Sequence, residues 1–155
     1  MTLTPMFFEK EASLVEQFVY LLGDHERWSS SCVRREFNYQ RGKTDVILLT
    51  DDGRIVAFEA KLTRWREALH QAYRNRCFAH ETYVVLPSEA AARAFRHREE
   101  FSRRRVGLCT LQDGKLVVLQ LAEASSPIEP WLTEQAGVFA KSNSEPGGRC
   151  PGDLR

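Results

Sequence analysis

TDVILLT (44–50), DDG (51–53) and RIVAFEAKL (54–62) are the stretch that decides how this chain folds. An Asp-Gly turn between two apolar, β-branched runs signals a hairpin, because those turn residues accept the backbone angles that reverse two twisted strands. Side chains alternate along a strand, so Ile55, Ala57, Glu59 and Lys61 share one face of the second run, and Asp45, Ile47 and Leu49 share one face of the first. If the register brings those faces together, Asp45, Glu59 and Lys61 converge. Two carboxylates and an ammonium inside apolar strands are costly unless they pair or hold a cation. The plain alternative is a salt bridge between Lys61 and one carboxylate near a strand end.

Upstream, Leu14, Val15, Phe18, Val19, Leu21 and Leu22 form a helical stripe over residues 10–23, ended by Gly23 and Asp24. Val33, Phe37 and Tyr39 then suit a strand, although Arg34, Arg35 and Glu36 interrupt its apolar pattern. Downstream, Trp65, Leu69, Ala72 and Tyr73 recur at helical spacing from about residue 63 to His80, with Thr63 placed to cap the helix. YVVLP (83–87) is a short β-branched run bounded by proline and reads as a buried strand. SEAAARAFRHREEF (88–101) reads as one helix starting at Ser88, and VGLCTLQ and KLVVLQLA are joined by Asp113-Gly114 as a second hairpin. The predicted order is αβββαβαββ, an α/β chain. The helix between Lys61 and Tyr83 permits a parallel crossover, and ligands of open α/β sheets gather at strand ends.

Asp45, then Glu59-Ala60-Lys61 beyond the hairpin, then Gln71 on the following helix resemble the pattern of the PD-(D/E)xK nuclease superfamily over roughly residues 11–121. The resemblance implies a restriction-endonuclease-like fold, with a mixed central β-sheet flanked by helices, and metal-dependent hydrolysis of phosphodiester bonds. It also implies Mg2+ or Mn2+ held by Asp45, Glu59, the Ala60 carbonyl and one early acid, all hard oxygen donors suited to those ions. Glu36 on the first strand and Glu16 on the first helix stand level for that early position, with Glu11 behind them. Lys61 would position the attacking water or stabilise developing negative charge, and Gln71 would hydrogen-bond the water or a neighbouring phosphate. Where the family carries Pro before the Asp, this chain has Thr44.

With 43% hydrophobic residues in 155, the chain can bury one core, and neither an internal repeat nor a second domain is visible. Residues 1–122 are expected to form the nuclease-like domain. Residues 123–155 are rich in Ser, Pro and Gly and are expected to form a weakly ordered tail, above all after Lys141, with Trp131 to Phe139 placed to dock as a short helix.

A net charge of +1 supplies no global basic field, so any nucleic-acid affinity must come from local patches. Arg64, Arg66, Arg74 and Arg76 decorate the helix after the site and suit phosphate, whose oxygens the guanidinium fork engages in pairs. His70 sits beside Gln71 and is placed to face the site, whereas Trp65 reads as a core anchor rather than a base-stacking platform.

Cys32, Cys77, Cys109 and Cys150 are dispersed without a C-x-x-C pair, which argues against a zinc module and fits reduced thiols. The N-terminus lacks a basic region followed by an apolar core, and no run is long enough to span a bilayer, so a soluble cytoplasmic protein is expected.

The expected function is a nuclease acting on nucleic acid, DNA ahead of RNA, in repair, recombination or defence against foreign DNA. Without a helix-turn-helix or zinc finger, specificity is expected to come from substrate shape, from a homodimer or from a partner protein. The alternative is a noncatalytic nucleic-acid-binding or partner-binding module that keeps the fold.

Overall fold

A computed structural model of the chain describes residues 6–29, 31–40 and 42–142. The predicted hairpin is present: β2 (Gly42–Leu49) and β3 (Ile55–Ala60) pair antiparallel, with Ile47 opposite Ala57 and Leu49 opposite Ile55. Gly53 takes a φ of +87° in the turn, a left-handed conformation that glycine adopts without a steric penalty. The Thr50 hydroxyl closes the same turn by accepting from the Arg54 amide at 2.8 Å.

β1 (Cys32–Tyr39) joins β2 antiparallel, β4 (Glu81–Pro87) joins β3 parallel, β5 (Val106–Gln112) joins β4 parallel, and β6 (Lys115–Gln120) closes the sheet antiparallel. Six strands therefore lie side by side in chain order as one mixed sheet. Asp113 and Gly114 both have positive φ, the geometry of a two-residue hairpin turn, as the Asp-Gly pair predicts.

Helices α1 (Glu11–Leu22), α2 (Trp65–Arg74), α3 (Ser88–Phe95), α4 (Arg98–Arg103) and α5 (Pro130–Ser142) flank the sheet. The full order is αβββαβααββα, so the predicted α/β arrangement of a mixed sheet between helices holds; α5 contains the short helix expected over Trp131 to Phe139, and one helix more than expected arises downstream of β4. The single helix expected over 88–101 breaks at Arg96 and His97. Trp65 is buried and stacks on His97 and Phe101, the core-anchor role, and the His97 contact lies at that break. Helix caps differ from expectation as well: Arg64 rather than Thr63 precedes α2, and no side chain caps it.

The two sheet faces carry separate cores. Leu14, Phe18 and Leu22 of α1 pack with Trp28, Val46, Leu48, Val56, Phe58, Tyr83 and Val85 on one face. On the other, α5 covers Cys32, Phe37, Ile47, Leu49, Ile55 and Ala57, and the two crossover connections cover Val84, Leu86, Val106 and Leu108. Leu132, Ala136 and Ala140 form the buried stripe of α5, and Arg34 pins that helix by placing its guanidinium over the Phe139 ring at 4.0 Å. The tail expected after Lys141 lies outside the described residues from 143 onward. Cys77 and Cys109 carry buried thiols, but Cys32 is disulfide-bonded, a departure from the expected reduced state, because spacing along a chain does not say which segments meet in space. No helix among the described residues is long and apolar enough to cross a membrane.

Candidate active site

The ladder between β2 and β3 ends at Val46 opposite Phe58, which leaves Asp45 and Glu59 as the next facing pair. A backbone carbonyl would ordinarily take the following amide. Here the Asp45 Oδ2 accepts from the Ala60 N–H at 2.8 Å, so the side chain lies between the strands rather than on the face shared by Ile47 and Leu49. Glu59, 2% exposed, follows Ile55 and Ala57 on the far face from α1.

Glu59 is held by a residue that sequence reasoning missed. Asn75, in the 3-10 turn Asn75–Cys77 that follows α2, is 0% exposed and donates from Nδ2 to Glu59 Oε1 at 2.8 Å. Its Oδ1 accepts from Tyr39 at 2.7 Å and from Thr44 at 3.0 Å, which gives the residue preceding Asp45 a defined task. A polar residue at a helix end reads locally as solvated, and only the tertiary structure buries it. Replacing Asn75 with Ala leaves a carboxyl and a buried hydroxyl without this partner. The expected cost is about 2–4 kcal/mol in urea unfolding; a change under about 0.5 kcal/mol would show that water takes over these bonds.

Burial, followed by the neighbouring charge of Asp45, pushes the Glu59 pKa up to about 8. A hydrogen bond between the two carboxyl groups acts in the same direction, and the Asn75 amide and the Arg74 charge oppose it. Glu59 is therefore a carboxyl group that keeps its proton unless a nearby cation offsets the charge.

On the α1 side, a cavity of about 230 Å³ is lined by Glu11, Val15, Arg35, Glu36, Asp45 and Ala60, among others. Glu36 has φ +59°, left-handed and uncommon for a residue with a side chain. It sits where the alternation of β1 slips: Val33 packs on the α1 side and Phe37, four residues on, packs on the opposite side. The slip lets Glu36 and Arg35 both line the cavity. Glu36 also pairs with Lys43 at 3.3 Å.

Of the candidate early acids, Glu36 and Glu11 border the cavity with Asp45, and Glu16 lies exposed on α1 without lining it. Among the described residues no three His, Cys, Asp or Glu side chains form a preassembled metal group.

Lys61 follows β3, its amide still donating to the Val85 carbonyl at 3.2 Å. Its ammonium lies 3.7 Å from Glu11 of α1 and 3.4 Å from Glu67 of α2. Gln71 is half-buried one turn after Glu67 and one turn before Asn75, so the helix stripe that meets Lys61 and Glu59 includes it.

The four arginines divide. Arg64 and Arg66 are exposed, in ion pairs with Glu67 and Glu100. The Arg74 guanidinium packs so closely on Gly42 that a Cβ there would stand 2.8 Å from Nη2, and Arg76 donates to the Arg104 carbonyl and the Ser125 hydroxyl. His70 is exposed on α2.

No family model and no curated protein match the chain. Among solved structures, the SPO1766 protein of unknown function from Silicibacter pomeroyi is similar with a TM-score of 0.62 and 14% identity over 86% of this chain and 87% of that one. A repair endonuclease from Pyrococcus abyssi gives a TM-score of 0.44 and 16% identity over 68% of this chain and 49% of its own, so the chain spans about half of that protein. SfsA of Pyrococcus furiosus, solved in complex with Ca2+, gives 0.34 and 11% over 73% of this chain and 61% of its own. At such identities the likeness is one of fold alone.

Proposed function

We propose that this protein is a metal-dependent nuclease that hydrolyses phosphodiester bonds in DNA, acting in repair, recombination or defence against foreign DNA. The observation that carries the reading is the Asp45–Glu59 pair at the open end of the β2–β3 ladder, where burial and mutual repulsion hold Glu59 protonated up to about pH 8. Such a pair is stabilised by a hard cation, and Mg2+ or Mn2+ fits because these ions take one or two carboxylates and fill their remaining positions with water and substrate phosphate.

Asp45, Glu59 and the Ala60 carbonyl are the proposed ligands, with Glu36 or Glu11 across the cavity reaching the ion directly or through water. The cation would offset charge on the scissile phosphate and increase the acidity of the attacking water. Lys61 donates hydrogen bonds to that water or to a non-bridging oxygen, and Glu11 and Glu67 hold its ammonium between α1 and α2. Gln71 holds the water or the adjoining phosphate. Arg64 and Arg66, exposed at the start of α2, are proposed to meet the backbone of the nucleic acid, with Arg74 and Arg76 contributing positive potential from behind them. A homodimer or a second protein would supply specificity.

A noncatalytic binding module is the second reading, favoured by the Lys61 ammonium being satisfied by two carboxylates, as in a structural ion pair. Incubating the purified protein with labelled single-stranded, double-stranded and branched DNA and with RNA separates the two, using Mg2+, Mn2+ or chelator. The nuclease reading expects cleavage of DNA that chelator abolishes. Binding without cleavage under every condition would support the module instead.

A further inference from the structure

Lys61 stands between two hollows. Ala60 lines the acidic cavity, and Leu62 lines a second of about 550 Å³ at the ends of β4 and β5, bordered by Phe7, Phe8, Ser88, Arg93 and Gln112. Its volume falls within the roughly 300–1,000 Å³ usual for small-molecule sites. Met6, Phe8 and Leu62 pack partly into the α1-side core and so fix one wall. Phe7 does not: its ring is 84% exposed at the rim and gains little from folding. Across the hollow, the Arg93 guanidinium is half exposed, and its ion-pair partner among the described residues is the more exposed Glu89 at 3.5 Å. Surface pairs of this kind are weak, so a phosphate can compete for the arginine.

We propose that this second hollow is a nucleobase subsite, taking the base of a nucleotide adjacent to the scissile phosphate against Phe7, with Arg93 on the neighbouring phosphate and Gln112 at the base edge. The assignment rests on the nuclease reading and adds the substrate class. In a duplex, both faces of a base are covered by its neighbours, so a base reaches an aromatic ring in a pocket only when it is unstacked. The substrate is therefore single-stranded, or frayed at the cleaved position. Ala60 and Leu62 are two residues apart, at most about 7 Å, so a strand held at the acidic cavity reaches the second hollow within one or two nucleotides.

Binding in chelator tests this apart from catalysis. The probe is a single-stranded oligodeoxynucleotide of about 12 nucleotides, within the site sizes usual for single-strand binders, read by fluorescence anisotropy beside a blunt duplex. Phe7→Ala should weaken single-strand binding about 10-fold or more, from the loss of base–aromatic stacking. Phe7→Trp should restore it, and duplex binding should not change. Phe7 is exposed, so neither variant threatens the fold. Equal single-strand affinity in Phe7→Ala and the parent, or an equal loss on the duplex, overturns the subsite. A parent that cleaves duplex DNA but binds no single strand also overturns it and leaves the nuclease reading intact. A parent that neither binds nor cleaves any nucleic acid overturns both.

Discussion

Lys61→Ala is expected to lower metal-dependent cleavage by about 100- to 1,000-fold, the usual loss when a donor to developing charge is removed, while cation affinity stays within about 3-fold of the parent. The asymmetry follows from position. Lys61 lies beyond the end of β3 and contacts Glu11 and Glu67, whereas Asp45 and Glu59 face each other across the ladder. Removing the ammonium leaves two half-exposed carboxylates that water solvates, so folding should change by about 1 kcal/mol or less. A variant that keeps full turnover would make Lys61 an ordinary strand-end ion pair. One that loses turnover only through unfolding would show a collapsed melting temperature.

Glu59→Gln is expected to separate stability from function. In the parent, the Glu59 carboxyl has its ordinary value of 4.5 when unfolded and about 8 when folded, raised first by burial and then by Asp45. Between those values the folded protein keeps a proton that the unfolded chain has released, so metal-free stability is greatest below about pH 4.5, falls as pH rises and levels off above about pH 8. The loss from this one group is on the order of a few kcal/mol.

Glutamine reproduces the protonated acid. Its carbonyl still accepts from Asn75 Nδ2, and its amide can donate to Asp45, with nothing left to titrate. Urea unfolding in chelator from pH 5 to 9 should therefore show a falling curve for the parent and a flatter one for the variant, which becomes the more stable of the two near pH 9. At a given concentration, Mg2+ should stabilise the parent more than the variant. Parallel curves would mean that Glu59 ionises freely where it sits.

What could be read from the sequence was whatever local chemistry decides. Both Asp-Gly turns lie where their backbone demands put them, and the apolar periods placed the strands and most helices. The break at Arg96 and His97 carried no glycine or proline to announce it, and the Trp65 ring that stacks on His97 comes from another helix. Asn75 was illegible for the same reason, since its partners Tyr39, Thr44 and Glu59 come from three strands.

Alternation placed Lys61 on the face of Glu59, but β3 ends at Ala60, and beyond a strand the period no longer binds a side chain to a face. On α1, Glu11 stands three residues before Leu14 and seven before Phe18, on the buried stripe, whereas Glu16 falls off it. Helical phase alone therefore favoured Glu11 over Glu16 for a place beside the sheet.

Asp45 and Glu59 are proposed to hold together the cation on which cleavage depends. Titrating Mn2+ into the metal-free protein at about pH 8, where the parent begins to release the Glu59 proton, tests it most directly. Bound ion is counted by electron paramagnetic resonance in the parent, Asp45→Asn, Glu59→Gln and Lys61→Ala. The expected result is a site present in the parent and in Lys61→Ala and weakened about 10-fold or more in the two carboxylate variants, each of which loses one charged oxygen ligand. Equal Mn2+ binding in all four proteins, or none in the parent, would contradict it.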